Sequence, residues 1–136
     1  MIVRSIMTDK PVFLEAHHSI RQAMHALYQH EIRHLPIVDQ GRLVGMLSDR
    51  DLRSYSLPAA EVIGRGAEVS KRLDAPVSSI MHGDVLSVGP DAEVSDAIDM
   101  MIRYKVGAVP VQDLETCKLI GIVSYVDILK AAKGVL

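Results

Sequence analysis

The sequence predicts an α+β fold built from two copies of one small β-α-β-β-α unit, and three observations carry that prediction. The chain repeats itself: Val3, Ser5, Ile6 and Met7 align with Val77, Ser79, Ile80 and Met81, and the same register reaches Ala23 with Ala97, Pro36 with Pro110 and Asp39 with Asp113. Two extra residues then enter the second copy near Leu114 to Cys117, after which Leu43, Gly45, Ser48 and Asp51 match Leu119, Gly121, Ser124 and Asp127. Each copy also runs through the same patterns in the same order. One copy, about 50 residues with three strands and two helices, buries too little surface to stand alone. Two copies with small mixed sheets, packed together around a pseudo-two-fold axis, solve that problem. The expected organisation is a first motif at 1–56, a connector at 57–75 and a second motif at 76–136.

The elements follow from local chemistry. Pro11 to Leu14 and Val85 to Val88 are β-prone. Ile20, Ala23, Met24 and Leu27 form one apolar stripe at helical spacing, with Ser19 and Gln22 as a capping box. Val94, Ala97, Ile98 and Met101 repeat the stripe, with Asp91 as the expected cap after Pro90. Leu35 to Val38 and Leu43 to Leu47 flank Asp39-Gln40-Gly41 and read as a hairpin. Val109 to Val111 and Leu119 to Val123 are its counterpart with a longer turn. A short helix starts at Ser48 and again at Ser124. In the connector Pro58, Gly64 and Gly66 are expected to break regular structure, with a short helix from Ala67 to Leu73.

Composition narrows the function. Of 136 residues, 49% are hydrophobic, there is no Trp, and seven Met serve an aliphatic core. The net charge of −2, with acids and bases interspersed, leaves no electrostatic footprint for nucleic acid or an anionic membrane. No apolar run approaches the roughly 20 residues that cross a bilayer. The opening residues do not resemble a signal peptide, and Cys117 is the lone cysteine, so the expected location is the cytoplasm.

The segments Gly45-Met46-Leu47-Ser48-Asp49-Arg50-Asp51 and Gly121-Ile122-Val123-Ser124-Tyr125-Val126-Asp127 share Gly, two aliphatics, Ser, two variable residues and Asp. Ser-x-x-Asp at a helix start is a capping arrangement, and taken singly each segment needs no other explanation. The same atoms also suit a ligand. A carboxylate in the first helical turn can accept both hydrogens of a ribose diol, the helix start and the Ser hydroxyl offer donors to a phosphate or sugar oxygen, and the Gly leaves room for a ligand against the backbone. Finding the pattern at matching places in a duplication favours a paired site.

These residues give the chain a specific resemblance. Ile6-Met7-Thr8 and Ile80-Met81-His82, Arg33-His34-Leu35-Pro36-Ile37-Val38 and Gly107-Ala108-Val109-Pro110-Val111, and the two Gly-to-Asp segments resemble a tandem pair of cystathionine-β-synthase (CBS) domains, a Bateman module. Essentially the whole chain takes part, and it is similar to the short acetoin-utilisation regulators. The resemblance implies no catalytic domain, and two clefts between the repeats that take AMP, ADP, ATP, S-adenosylmethionine or an NAD-type molecule. It implies that Asp51 and Asp127 hold ribose hydroxyls, and that Ser48 and Ser124 reach ribose or phosphate. It further implies that the chain around His34-Leu35-Pro36 and Ala108-Val109-Pro110 faces the adenine, and that the module pairs as a homodimer acting on a separate protein. Arg33 belongs to the same stretch as His34, which borders the cleft and is placed to contact phosphate. Arg50 offers a phosphate contact that Val126 does not. With Thr8 replaced by His82 in the second copy, the Asp51 site is expected to be the stronger.

Other readings are weaker. His17 and His18 are expected to point apart, and no His pair with an acidic partner suggests a metal. Cys117 has no base at a nucleophile's spacing. The Met at 24, 100 and 101 read as core. Arg65, Lys71 and Arg72 read as a solvated face offset by Glu61, Glu68 and Asp74. The alternative from another class is a ligand-free CBS pair serving as a dimerisation or interaction scaffold; a small enzyme is the poorest fit.

Overall fold

A computed structural model describes residues 1–60 and 66–135, giving backbone alone at 56–60 and 67. In chain order it forms β1 (Thr8–Asp9), β2 (Leu14–Glu15), α1 (Ile20–His30), β3 (His34–Asp39), β4 (Arg42–Ser48), α2 (Asp49–Ala60), α3 (Gly66–Leu73), α4 (Val94–Tyr104), β5 (Ala108–Gln112), β6 (Leu119–Ser124) and α5 (Tyr125–Lys133). Single 3₁₀ turns at Val3–Ser5 and Val77–Ser79 open the two repeats. The strands form two three-stranded sheets, ordered β2-β3-β4 and β1-β6-β5. The α+β prediction holds, with five helices and two small sheets.

The chain divides into two compact units that do not follow the repeats. One comprises Val12–Gln40 and Val44–Asp84; the other comprises Met1–Pro11, Gly41–Leu43 and Val85–Leu136. Each repeat thus donates its opening segment to the unit built mainly from the other. We call them the Asp51 unit and the Asp127 unit.

In the Asp51 unit, Ile20, Ala23, Ala26 and Leu27 of α1 pack with Leu35 and Ile37 of β3, Leu47, Leu52 and Val77. Val77 comes from the second repeat, and its N–H donates to His18 O at 2.8 Å. Burying each Leu or Ile side chain stabilises the fold by about 1.5–3 kcal/mol. Ser19 and Gln22 make the expected capping box on α1. Met24, expected in the core, stays at the surface, and Ala26 takes the inner position. The β3–β4 turn places Gln40 at φ 51° and Gly41 at φ 81°, the left-handed pair that a type I′ hairpin needs. Of the first β-prone run only Leu14 becomes strand, and with Glu15 beyond it pairs in parallel with Ile37 and Val38.

The expected break at Pro58 does not occur: α2 runs through it to Ala60, because a proline ring presets a helical φ and costs one hydrogen bond near a helix end. Gly66, the other expected breaker, opens α3. Tyr55 ties these helices together, its hydroxyl donating to Arg72 O at 2.8 Å and its ring lying 4.2 Å from the Arg72 guanidinium. Glu61, Gly64 and Arg65 lie outside the described residues.

The core of the Asp127 unit joins Val3 of the first repeat to Val88, Ala97, Met101, Val109, Val111 and Val123 of the second. Of the second β-prone run only Val88 pairs, in a single parallel bridge to Val111. Asp91 is not the cap of α4. Glu93 stands at that position without a side-chain capping bond, its carboxylate accepting instead from the Met1 amino group at 3.4 Å, and the Val94 N–H donates to Met1 O at 2.9 Å, so backbone from the chain's start satisfies this N–H of the helix. Asp91 instead accepts from Arg4 at 3.2 Å. In the β5–β6 loop, Asp113 Oδ1 accepts the N–H groups of Glu115 and Thr116, each at 2.9 Å, which holds its carboxyl below the usual range. Exposed Cys117 sits beyond it at φ 62°. Among the described residues, no helix is long and apolar enough to cross a membrane.

Candidate functional site

Each unit builds one corner where a strand gives way to a helix. In the Asp51 unit, Ser48 ends β4 and its N–H donates to Asp51 Oδ2 at 2.9 Å, while the Asp51 N–H donates to Ser48 Oγ at 3.1 Å. The Asp49 N–H, first in α2, donates to Arg33 O at 2.8 Å, tying the entrance of β3 to the helix start. In the Asp127 unit the Ser124 N–H donates to Asp127 Oδ2 at 2.8 Å, the Asp127 N–H to Ser124 Oγ at 3.3 Å, and the Tyr125 N–H to Gly107 O at 3.0 Å. Capping is therefore real at both corners. It uses one carboxylate oxygen, Oδ2, in each.

The other oxygen distinguishes the corners. Asp51 Oδ1 lies 3.0 Å from His82 Nε2. His82 comes from the second repeat and is held by two backbone bonds with Met46, at 3.2 and 3.1 Å. Its equivalent, Thr8, pairs with Ile122 in the Asp127 unit. Grouping Thr8 with Asp51, as the linear sequence does, is thus incorrect: the exchanged opening segments place Thr8 on the Asp127 side and His82 beside Asp51. Sequence reasoning aligned these two residues but missed the pairing. The signal was available in the apolar Ile80-Met81 that precedes His82 and needs a core.

The charges at the Asp51 corner respond to their surroundings. Burial alone would raise the Asp51 carboxyl, but hydrogen bonds from His82 and from the Ser48 backbone and hydroxyl outweigh it, and the group titrates below its ordinary value. Half-buried His34 is also lowered, chiefly by burial and further by Arg33, against the opposing pull of Asp51 and Asp49. Arg33 and Arg50 are exposed. Asp49 pairs with Arg53 at 3.1 Å.

The side chains of several predicted site residues are buried. Leu35 and Val109 have no exposed surface and point into their cores, and Pro36, Ala108 and Pro110 are buried beside them. Gly45 and Gly121 do not leave open space: a Cβ at Gly45 would overlap Met81 Sδ, and one at Gly121 would stand 2.6 Å from Met7 Sδ and 3.0 Å from Thr8 O. The thioethers fill that room. His17 and His18, expected to diverge, have ring centroids 4.6 Å apart, and with Glu15 they bring three donor atoms within 4.8 Å of one another. His18 Nδ1 accepts the Glu15 N–H at 2.9 Å, which leaves Nε2 as its other ring nitrogen.

Comparison with known proteins agrees with this architecture. The chain matches the CBS domain family twice, over residues 3–58 and 77–134, and it belongs to that family. It is similar to AcuB of Vibrio cholerae, a protein assigned to acetoin utilization, at 32% identity and a TM-score of 0.80, covering 99% of this chain and 92% of that one. A structure of CBSX2 in complex with AMP matches at 26% identity and 0.82, covering 98% and 97%. The CBS domain pair of MJ0100, in complex with 5′-methylthioadenosine and S-adenosyl-L-methionine, matches at 28% and 0.79, covering 100% and 98%. Among curated relatives the chain spans from 81% of one protein's length to 14% of an A-adding tRNA nucleotidyltransferase from Aquifex aeolicus.

Proposed function

We propose that this CBS-domain chain is a regulatory module that binds an adenosine-containing ligand at two corners, one around Asp51 and one around Asp127, and that it does not itself catalyse a reaction. The carrying observation is the duplicated Ser-x-x-Asp corner, in which capping places the Ser N–H on Oδ2 and the carboxylate keeps accepting capacity for another partner. A ribose diol is the natural partner for such a carboxylate, and structural neighbours carry AMP, 5′-methylthioadenosine and S-adenosylmethionine. Ser48 and Ser124 take ribose or phosphate oxygens, and Arg33, His34 and Arg50 supply positive charge for phosphate at the Asp51 corner. AMP, ADP or ATP are the favoured ligands, ahead of S-adenosylmethionine or an NAD-type molecule. The lone exposed thiol and charge balance fit a cytoplasmic protein.

The second reading is a dimerisation scaffold, favoured by apolar side chains left exposed on α4 and α5: Ile102, Tyr104, Tyr125 and Leu129. We propose that this surface serves homodimer contacts; the groove of about 800 Å³ in the other unit mixes Met24, Tyr28 and Leu52 with Glu31, Arg33, Asp49 and Arg53 and is the less apolar of the two. Thermal unfolding against AMP, ADP, ATP, S-adenosylmethionine and NADH decides between the readings. A ligand at about 100 times its Kd adds about 2.7 kcal/mol. A selective rise in Tm, reduced by Asp51→Asn or Asp127→Asn, supports the sensor; a flat response from a folded dimer leaves the scaffold.

A further inference from the structure

We propose that His82 is an internal competitor for the Asp51 corner: its imidazole holds the carboxylate oxygen that a ribose hydroxyl needs, and it must swing away for a nucleoside to bind. The inference rests on the adenosine reading of that corner and concerns what governs its occupancy.

Asp51 has two oxygens and three claims upon them. Oδ2 is directed back to the Ser48 N–H, and Oδ1 carries His82 Nε2. Each carboxylate oxygen can accept two hydrogen bonds, so a diol can share Oδ2 with the Ser48 N–H, but its approach to Oδ1 meets the His82 ring, whose Nε2 stands 3.0 Å away. The competitor can leave without disturbing the core. Its backbone is pinned by the Met46 bonds, but its side chain is 70% exposed, so rotation about its side-chain torsions carries the ring into solvent. At the Asp127 corner the equivalent residue is Thr8, whose hydroxyl carries no charge in either state.

The competition depends on pH. A neutral imidazole gives Asp51 one ordinary donor, whereas an imidazolium gives it a charge-assisted bond of roughly twice the strength. Acid therefore strengthens the competitor. The other charged groups at this corner are Asp49, Arg50 and Arg53 on α2, Arg33 and His34 at β3, and Asp84 two residues beyond His82. Both arginines and Arg53 keep their charge throughout. His34 gains a proton in acid and would draw a phosphate, the opposite sense, so the effect of His82 is read as the difference between wild type and His82→Thr with an uncharged probe.

Adenosine is titrated into the full chain at about pH 5.5 and about pH 8, following the backbone amides of Asp51 and Asp127 by NMR so that each corner reports separately. At the lower pH, His82→Thr tightens adenosine at the Asp51 corner about tenfold, by less at the higher pH, and leaves the Asp127 corner unchanged. His82→Ala behaves the same way. If both substitutions leave the Asp51 curve and its pH dependence as in wild type, the competitor role is overturned; if they weaken binding, His82 is a ligand contact instead. Absence of adenosine and AMP binding to wild type and variants alike removes the adenosine reading, and this inference with it.

Discussion

The two corners have the same sequence pattern, helix start and cap, yet they differ in what meets the carboxylate. Asp51 is met by an imidazole delivered from the other repeat, whereas at the Asp127 corner Thr8 stands in the equivalent place. The variable positions inside the pattern differ too, with Asp49 and Arg50 in one corner and exposed Tyr125 and Val126 in the other. Capping is evidently set by the Ser-x-x-Asp string alone, because both corners close in the same way. What surrounds the remaining oxygen is set by residues far away in sequence.

The largest test of that comparison falls behind the corners. Leu35→Ala empties a fully buried position and should cost about 2–5 kcal/mol in urea unfolding, with Val109→Ala costing less in the other unit. A Leu35→Ala protein of unchanged stability but weaker ligand binding would show that Leu35 faces a ligand rather than the core. The paired glycines come next. Gly45→Ala meets a thioether that can rotate, whereas Gly121→Ala also meets the Thr8 carbonyl. Both should destabilise, the second by more, within the roughly 1–3 kcal/mol of an overpacked site. Ser48→Ala and Ser124→Ala should each cost about 1 kcal/mol, and near-equality of the two would confirm that capping is common to both corners.

The smallest effect is also the most discriminating. His34 titrates below its ordinary 6.5 in the folded chain, so its contribution is intact above that pH and is lost as pH falls from there through the folded value. Asp51 titrates below its ordinary 3.8, so its stabilisation is present above that value and disappears as acid takes the pH through the folded one. Unfolding curves across pH should therefore flatten in the first window for His34→Asn and in the second for Asp51→Asn. The Asp51 carboxylate is 23% exposed and its His82 partner largely so, hence solvent screening keeps this contribution modest.

Most of the fold was legible because its signals are local. The Ser19–Gln22 box, the hairpin at Gln40-Gly41 and both Ser-x-x-Asp caps depend on residues within a few positions of one another. The errors have a shared cause in longer range. Asp91 has the chemistry of a cap, but the carbonyl of Met1 satisfies the helix first. Gly45 has the chemistry of an open cradle, but Met81 arrives to fill it. The partner of His82 was missed because alignment of two repeats tells which residues are equivalent, not which unit receives them; only the apolar Ile80-Met81 before it hinted at a core. Pro58 was misread for a different reason: a proline near the end of a helix costs a bond without forcing a stop.

The exchanged opening segments bear on ancestry. A gene encoding one repeat would produce a chain whose core lacks its Val3 or Val77 equivalent, and only a second copy of the same chain could supply it. Fusion of two such genes turns that encounter between molecules into one within a molecule, at an effective concentration in the millimolar range or above. It also releases the copies from identity, since a symmetric pair must carry the same residue at both places. Once joined, one copy can present a hydroxyl where its twin presents an imidazole, so the two halves of the duplication can diverge in chemistry while keeping one backbone plan.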